Sequence, residues 1–257
     1  MKGAEAAVPT APSLDFLAVG AHPDDVEISC GGTLAFAAAQ GHSVGILDLT
    51  LGELATNGTV ETRIAEAAEA ARALGVALRR NGELPDGAID SRDPGQVRRV
   101  VALLRSLRPA ILLTHFPRDR HPDHGEASRL VDRAWYLAGL RRYDAEGDPF
   151  RPEARYYFAS RIGFEPSFVV DITATWDVKR RSILAHKSQV LREGQDTSAT
   201  ALNEPDFLER IEARARHYGG MIGVRYGEPF RSTEPLGLRT LEPLTRGVRP
   251  KPGSFTG

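Results

Sequence analysis

The stretch LDFLAVGAHPDDVE, residues 14–27, decides the predicted fold class. Its first part is a short apolar run that ends at Gly20, which is typical of a strand buried in a parallel sheet. Its second part changes to histidine and carboxylates where that strand ends. In open α/β sheets, ligands bind beyond the carboxyl ends of the strands. The junction therefore predicts both a sheet and the edge of that sheet where a functional site lies.

Beyond this stretch, predicted helices and strands alternate along the first half of the chain. Residues 31–40 and 59–74 are helix-like, and residues 44–49 and 110–113 are apolar strand candidates. The pair Asp93-Pro94 is typical of a helix N-cap followed by a proline in the first turn. Such alternation predicts an α/β, Rossmann-like fold, in which a mostly parallel sheet is flanked by helices and the active site lies at the C-terminal ends of the strands.

The second half of the chain is less regular. Its two predicted strands and two predicted helices cover residues 155–159, 168–172, 176–188 and 205–218. The tail, residues 232–257, is rich in Pro, Gly and Arg, and we expect it to be extended, partly disordered or laid along a neighbouring subunit. Because no repeat or linker interrupts the pattern, we predict one domain over residues 1–257. Its core covers about residues 14–231, and its termini are extended or partly disordered.

Composition excludes several classes of protein. A hydrophobic fraction of 41% and a charged fraction of 26% are those of an ordinary globular protein. The net charge of −1 argues against electrostatic binding of nucleic acid. The single cysteine, Cys30, permits no intrachain disulfide and fits a reducing compartment. Residues 1–13 lack the pattern of a signal peptide, and no apolar run reaches the roughly 20 residues of a membrane span. We therefore expect a cytoplasmic protein with no nucleic-acid or membrane partner.

Two polar loops carry the candidate chemistry. AHPDDVE, residues 21–27, and RDRHPDHG, residues 118–125, each place histidine and carboxylates after a predicted strand. Histidine nitrogens with one carboxylate form a typical catalytic zinc set, which leaves a position for water and lowers the pKa of that water. Taken singly, these residues also suit a loop histidine, a helix cap or a solvated surface. Their coincidence at one edge of the sheet favours a metal site.

The order of the motifs resembles that of the PIG-L/LmbE-like N-acetylglucosaminyl deacetylases, and in particular the bacillithiol-biosynthesis branch. The resemblance runs from about residue 14 to residue 231. It is carried by AHPDDVE, GGT, NGTVETR, LPDG and HPDHG, and further by YYF, FVVDIT, KSQ and IEARARHYGGMIGVRYGEPF. The combination of AHPDD with HPDH is the specific part, since LPDG or NGT alone would be a weak signal.

The resemblance implies a metal site and a proton acceptor. It implies that one Zn²⁺ per chain is held by His22, Asp25 and His124, and that Asp24 is the general base. Adjacent carboxylates suit this division, because one can face the metal and the other its water. Fe²⁺ or Co²⁺ could occupy the same ligand set.

Two further residues of HPDH have roles implied by the resemblance. His121, when protonated, would stabilise the tetrahedral oxyanion of the reaction. Asp123 would orient His121 and raise its pKa through a nearby negative charge. The alternative for Asp123 is a helix N-cap.

Substrate contacts follow less directly from the sequence. Asp86 resembles the family acid that binds sugar hydroxyls, with an ordinary turn residue as the alternative. Arg63 or Arg120 would hold the carboxylates of a malate aglycone, since a guanidinium fork suits a carboxylate. The alternative for Arg63 is a surface or ion-paired arginine.

The function implied is zinc-dependent deacetylation of an N-acetylglucosaminide, with N-acetylglucosaminyl malate as the leading small-molecule substrate. One alternative is another N-acetylated sugar, a chitooligosaccharide or a mycothiol-type conjugate. A second alternative is a non-catalytic metal- or sugar-binding protein on the same fold, against which Asp24 argues because binding alone needs no base. Family members tend to form oligomers, so we also expect a homo-oligomer.

Overall fold

Seven strands form one sheet in the computed structural model, which describes residues 14–190 and 198–237. The strands are β1 (Leu14–Gly20), β2 (Val44–Thr50), β3 (Leu78–Leu84), β4 (Pro109–His115), β5 (Ala154–Phe158), β6 (Phe168–Asp171) and β7 (Gly227–Arg231). Their order across the sheet is β3-β2-β1-β4-β5-β7-β6. The first five are parallel, and β7 pairs antiparallel with both β5 and β6. The predicted α/β fold with a mostly parallel sheet is confirmed.

Helices cover both faces of the sheet. They are α1 (Asp25–Ala39), α2 (Val60–Leu74), α3 (Pro94–Leu107), α4 (Pro122–Ala138), α5 (Trp176–Ala185), α6 (Lys187–Val190) and α7 (Phe207–Met221). Side chains of β1 alternate between the two faces, as the strand period of two requires. Leu17 and Val19 pack with α3 and α4, whereas Ala18 packs with α1 and α2. None of the described helices is long and apolar enough to span a membrane.

Local capping signals predicted several helix ends correctly. Thr59 accepts a hydrogen bond from the Thr62 backbone N–H at 3.2 Å and so begins α2. Gly75 ends α2 with a φ of 73°, in the left-handed region that glycine enters without strain. Asp93 accepts a hydrogen bond from the Gln96 N–H at 2.7 Å and so begins α3.

Other elements depart from the sequence prediction. β3 was not predicted, because its sequence LRRNGEL lacks an apolar run, and the short strand β7 was also missed. Helix α1 begins at Asp25 rather than at residue 31, so the predicted metal ligand Asp25 is its first residue. The predicted helix over residues 176–188 is interrupted at His186. Most of the predicted tail, from residue 238 onward, lies outside the described residues, as do residues 1–13.

A break inside α1 is held by a buried charge pair. Cys30 has non-helical dihedral angles, and the N–H groups of Gly32 and Thr33 donate to the carboxylate of Glu228 at 3.0 and 2.7 Å. Lys179 pairs with the same carboxylate, and both side chains are almost fully buried. Glu228 thus caps the second part of α1 from β7. The break separates the turn that carries Asp25 from the rest of the helix.

Candidate metal centre and active site

The loops after β1 and β4 meet because these two strands are neighbours in the sheet. From β1 the chain continues to β2 on one side, and it later returns to β4 on the other, so a crevice opens between the ends of β1 and β4. The first loop and the first residue of α1 supply residues 21–25, and the second loop and the first turn of α4 supply residues 116–124. Both polar motifs therefore lie at the point in the fold where a ligand crevice is expected.

Asp25 is the centre of the cluster. Its Oδ2 lies 3.3 Å from Nδ1 of His22 and also accepts the His22 backbone N–H at 2.8 Å. Its Oδ1 lies 3.1 Å from Nε2 of His124. Asp25 at the start of α1 thus contacts both other residues predicted to hold the metal, His22 in the loop after β1 and His124 in the first turn of α4.

The donor chemistry of this cluster fits a divalent metal. Two imidazoles and one carboxylate are a ligand set used by catalytic zinc sites. Within the described residues, three overlapping groups have ligand atoms close enough to share an ion. They are His22-His121-His124, Asp25-His115-His124 and His22-Asp86-Asp123, so the predicted set of His22, Asp25 and His124 is divided among these groups and is not itself one of them.

The electrostatics favour positive charge at the same place. Burial opposes protonation of His22, but hydrogen bonds to Asp123, Asp25 and Asp86 outweigh it and raise its pKa to about 12. Burial is likewise outweighed at His124, where Asp25 and Asp119 raise the pKa to about 9. The carboxylates therefore create a strongly negative potential at this place, which a bound cation would neutralise.

His115 also contacts the cluster; its place at the end of a predicted strand made it a possible neighbour of the site, but it was not among the predicted site residues. It is fully buried at the end of β4, with Nε2 3.2 Å from Oδ2 of Asp25 and 3.0 Å from the Ala21 backbone nitrogen, whose N–H it accepts. Its Nδ1 lies 3.0 Å from Oγ of Ser160, and its ring stacks on His124 at 4.1 Å. Burial lowers the pKa of His115 to about 4. The available signal was its position as the last residue of a strand at the active edge of the sheet.

Asp24 occupies a strained and buried position beside Asp25. Its φ of 125° is outside the regions that non-glycine residues ordinarily adopt, and such strain persists only where surrounding structure enforces it. The residue is 4% exposed. Burial raises the pKa of its carboxyl to about 6 against the attraction of Arg63, and the neighbouring Asp25 adds to the increase.

Arg63 is the group that holds Asp24. Its Nη2 lies 3.1 Å from Oδ2 of Asp24 and donates to the Pro23 carbonyl at 2.6 Å, while its Nη1 donates to the Gly52 carbonyl at 3.0 Å. A Cβ at Gly52 would stand 1.8 Å from this guanidinium, so the close approach requires glycine there. Arg63 lines the cavity, but these contacts correspond to the ion-paired alternative for Arg63.

The contacts of His121 and Asp123 correct part of the sequence prediction. Among the described contacts, Asp123 reaches His121 only through its backbone N–H, which donates to Nδ1 of His121 at 3.3 Å. The Asp123 carboxylate instead accepts the Gly87 N–H at 2.8 Å and lies 3.3 Å from Nε2 of His22. The pKa of His121 is lowered rather than raised, because burial and then His124 and His22 outweigh the acids. His121, not Asp123, is the N-cap of α4.

Asp86 and Arg120 both line a cavity of about 760 Å³ over this centre. The Asp86 carboxylate is engaged by the protein, with Oδ1 3.0 Å from Nε2 of His22 and Oδ2 accepting the Leu54 N–H at 2.9 Å. Arg120 is exposed at the mouth. Helix α7 contributes Phe207 and Ile211 to the wall of the cavity.

Comparison with known proteins agrees with this geometry. The model of the PIG-L family, described as GlcNAc-PI de-N-acetylase, matches residues 17–135. The diacetylchitobiose deacetylase of Thermococcus kodakarensis is 31% identical over 231 residues, which cover 84% of this chain and 81% of that protein. The chain belongs to the PIG-L family. The resemblance to PIG-L/LmbE-like deacetylases is thereby confirmed.

Two further proteins are similar to this chain. A 1D-myo-inositol 2-acetamido-2-deoxy-alpha-D-glucopyranoside deacetylase from Rhodococcus erythropolis is 32% identical over 190 residues, covering 61% of this chain and 65% of that protein. The crystal structure of a conserved protein from Thermus thermophilus is 43% identical, with a TM-score of 0.80, and covers 88% of this chain and 97% of that one. The Thermococcus and Rhodococcus deacetylases are named for different N-acetylated sugars. These two relatives therefore do not single out the bacillithiol branch.

Proposed function

We propose that this PIG-L family member is a metal-dependent deacetylase that hydrolyses the acetamide of an N-acetylglucosaminide. One observation carries the proposal. A strained, buried carboxylate, Asp24, lies directly beside the cluster of His22, Asp25 and His124 at the bottom of a substrate-sized cavity. A protein that only binds a metal or a sugar has no need of this residue, whereas hydrolysis of an amide requires a proton acceptor next to the attacking water.

A divalent ion held by His22, Asp25 and His124 would polarise the acetamide carbonyl and acidify the attacking water. Zinc suits these ligands best, and Fe²⁺ or Co²⁺ could replace it. Asp24 accepts the proton of the water and afterwards returns it to the departing amine. Burial raises the pKa of the Asp24 carboxyl above its usual range, which makes the carboxylate a stronger base for this transfer. Arg63 fixes the carboxylate in position.

His121 stabilises the developing oxyanion through a hydrogen bond. Its Nδ1 accepts the Asp123 backbone N–H, which leaves the ring proton on Nε2. A ring that accepts at Nδ1 is neutral, so this Nε2–H is available to the cavity without a positive charge on the ring. A donor fixed before the reaction begins stabilises charge that appears only in the transition state.

The leading substrate is N-acetylglucosaminyl malate, as expected for the bacillithiol branch. Its support is the motif resemblance together with exposed Arg120 at the cavity mouth, for which no acidic partner occurs among the described residues. Diacetylchitobiose is the second candidate, favoured by the 31% identity to the Thermococcus enzyme. An inositol-linked N-acetylglucosamine is the third, on the identity to the Rhodococcus enzyme.

An acetate-release assay separates these candidates. The zinc-loaded protein is offered N-acetylglucosaminyl malate, diacetylchitobiose and free N-acetylglucosamine, and both acetate and the new primary amine are measured. We expect equal amounts of acetate and amine, formed fastest from the malate glycoside. Faster release from diacetylchitobiose would select the second candidate, and equal rates on all three would remove the malate assignment. No acetate from any substrate would contradict deacetylation.

A further inference from the structure

Asp119 is a buried carboxylate that the sequence analysis left without a role. It lies in the loop between β4 and α4, and its side chain is 4% exposed. Its Oδ1 accepts the backbone N–H of His121 at 2.9 Å and lies 3.1 Å from Nδ1 of His124. One oxygen therefore contacts both histidines of the HPDH motif.

The ring of His124 is held from two opposite sides. Its Nε2 lies against Oδ1 of Asp25, and its Nδ1 lies against Asp119. His22 repeats the arrangement, with Nδ1 against Asp25 and Nε2 against Asp86 and Asp123. Histidines that bind metals almost always donate their second ring N–H to a carboxylate, a carbonyl or water, which fixes the tautomer and makes the ligand nitrogen more basic.

A simpler explanation for Asp119 is a turn. An aspartate that accepts the N–H two residues later forms an Asx turn, and such turns are common before helices. A turn alone, however, works equally well at the surface. Burying a carboxylate costs free energy unless charge and hydrogen bonds compensate it. The contact with Nδ1 of His124 supplies that compensation, and the turn does not account for it.

We propose that Asp119 is a positioning residue that holds the ring of His124 for metal binding, through its negative charge as well as its hydrogen bond. The proposal rests on the proposed role of His124 as a metal ligand. The same Asp119 oxygen also accepts the backbone N–H of His121. It therefore couples the position of His121, the proposed oxyanion donor, to that of His124, the proposed metal ligand.

The Asp119→Asn variant separates the proposal from the turn. An asparagine oxygen can still accept both hydrogen bonds and keep the Asx turn, but it carries no charge. We expect the affinity for Zn²⁺, measured by competition with a chromophoric chelator, to fall by about 10–100-fold. The visible spectrum of the Co²⁺-loaded variant should also change, since that spectrum reports the geometry and strength of the ligands.

The matched control is Glu126→Gln, the same acid-to-amide change on α4 two residues beyond His124. Glu126 contacts Arg129 and the Ser91 N–H rather than a histidine, so the control should bind Zn²⁺ as the unmodified protein does. Thermal melting of the metal-free proteins verifies that both variants fold. Unchanged Zn²⁺ affinity and an unchanged Co²⁺ spectrum in Asp119→Asn would overturn the proposal and leave the turn as the explanation. Failure of the unmodified protein to bind any divalent metal would instead overturn the proposed metal-dependent function.

Discussion

Asp24 combines the backbone strain, the burial and the negative charge that the proposed chemistry requires. Its backbone is strained, its carboxylate is buried, and Arg63 neutralises part of the charge that burial makes costly. Functional sites are where strain of this kind is retained, because the surrounding structure holds the residue in place. The same arrangement explains why Arg63 is inside the protein instead of facing solvent.

Replacing Asp24 by asparagine should remove the proton acceptor and keep the shape. Asparagine tolerates positive φ better than most residues, so the backbone should survive the change. We expect Asp24→Asn to retain its metal, measured by elemental analysis, and to release acetate about 10²–10⁴-fold more slowly. Full activity in a metal-loaded Asp24→Asn protein would exclude Asp24 as the base.

The control for this variant is Asp48→Asn. Asp48 is another buried carboxylate paired with an arginine, Arg79, at 2.7 Å, and it is not among the residues that line the cavity. Its loss should lower stability while most of the activity remains. Comparable loss of activity in both variants would mean that damage to buried ion pairs, and not loss of a base, explains the Asp24 result.

At the scale of elements, the break in α1 depends on residues far apart in the sequence. Glu228 caps the second part of the helix and neutralises Lys179 inside the protein. The Glu228→Gln variant keeps one acceptor oxygen where Gly32 and Thr33 now use two, and it leaves the buried Lys179 charge with the Ile28 carbonyl but without an anionic partner. We expect the free energy of unfolding, from urea denaturation, to fall by about 3–5 kcal/mol.

An exposed ion pair provides the comparison. Glu83 lies 3.1 Å from Arg99 with its side chain 70% exposed, so Glu83→Gln should cost less than about 1 kcal/mol. If Glu228→Gln were no more destabilising than Glu83→Gln, the buried pair would not be what stabilises the break.

The elements that the sequence predicted well are those whose signals are local. Asp93 and Gly75 mark helix ends through contacts within a few residues, and both ends were found. Strand β3 has no such signal, because residues 78–84 form a strand only by pairing with β2. The break at Cys30 depends on Glu228, about 200 residues away, which no local pattern reveals.

At the scale of the whole molecule, topology explains why the sequence could predict where the candidate site lies. The parallel order of β1 and β4 forces the AHPDD and HPDH loops to one edge, so motif position predicted the edge of the sheet, and the family resemblance supplied His22, Asp25 and His124 as the proposed ligands. The partners of those residues were harder to assign. The orientation of the Asp123 carboxylate toward Gly87 and His22, and the inward placement of Asp119 and His115, follow from packing among three loops. Sequence spacing does not encode these contacts.

Metal removal and restoration test the central claim most directly. The protein is stripped with a chelator, elemental analysis verifies that it is metal-free, and acetate release is measured before and after Zn²⁺ is returned. We predict that activity disappears with the metal and returns with one Zn²⁺ per chain, and that His124→Ala neither retains the metal nor recovers activity. Acetate release at the full rate from verified metal-free protein would contradict the account.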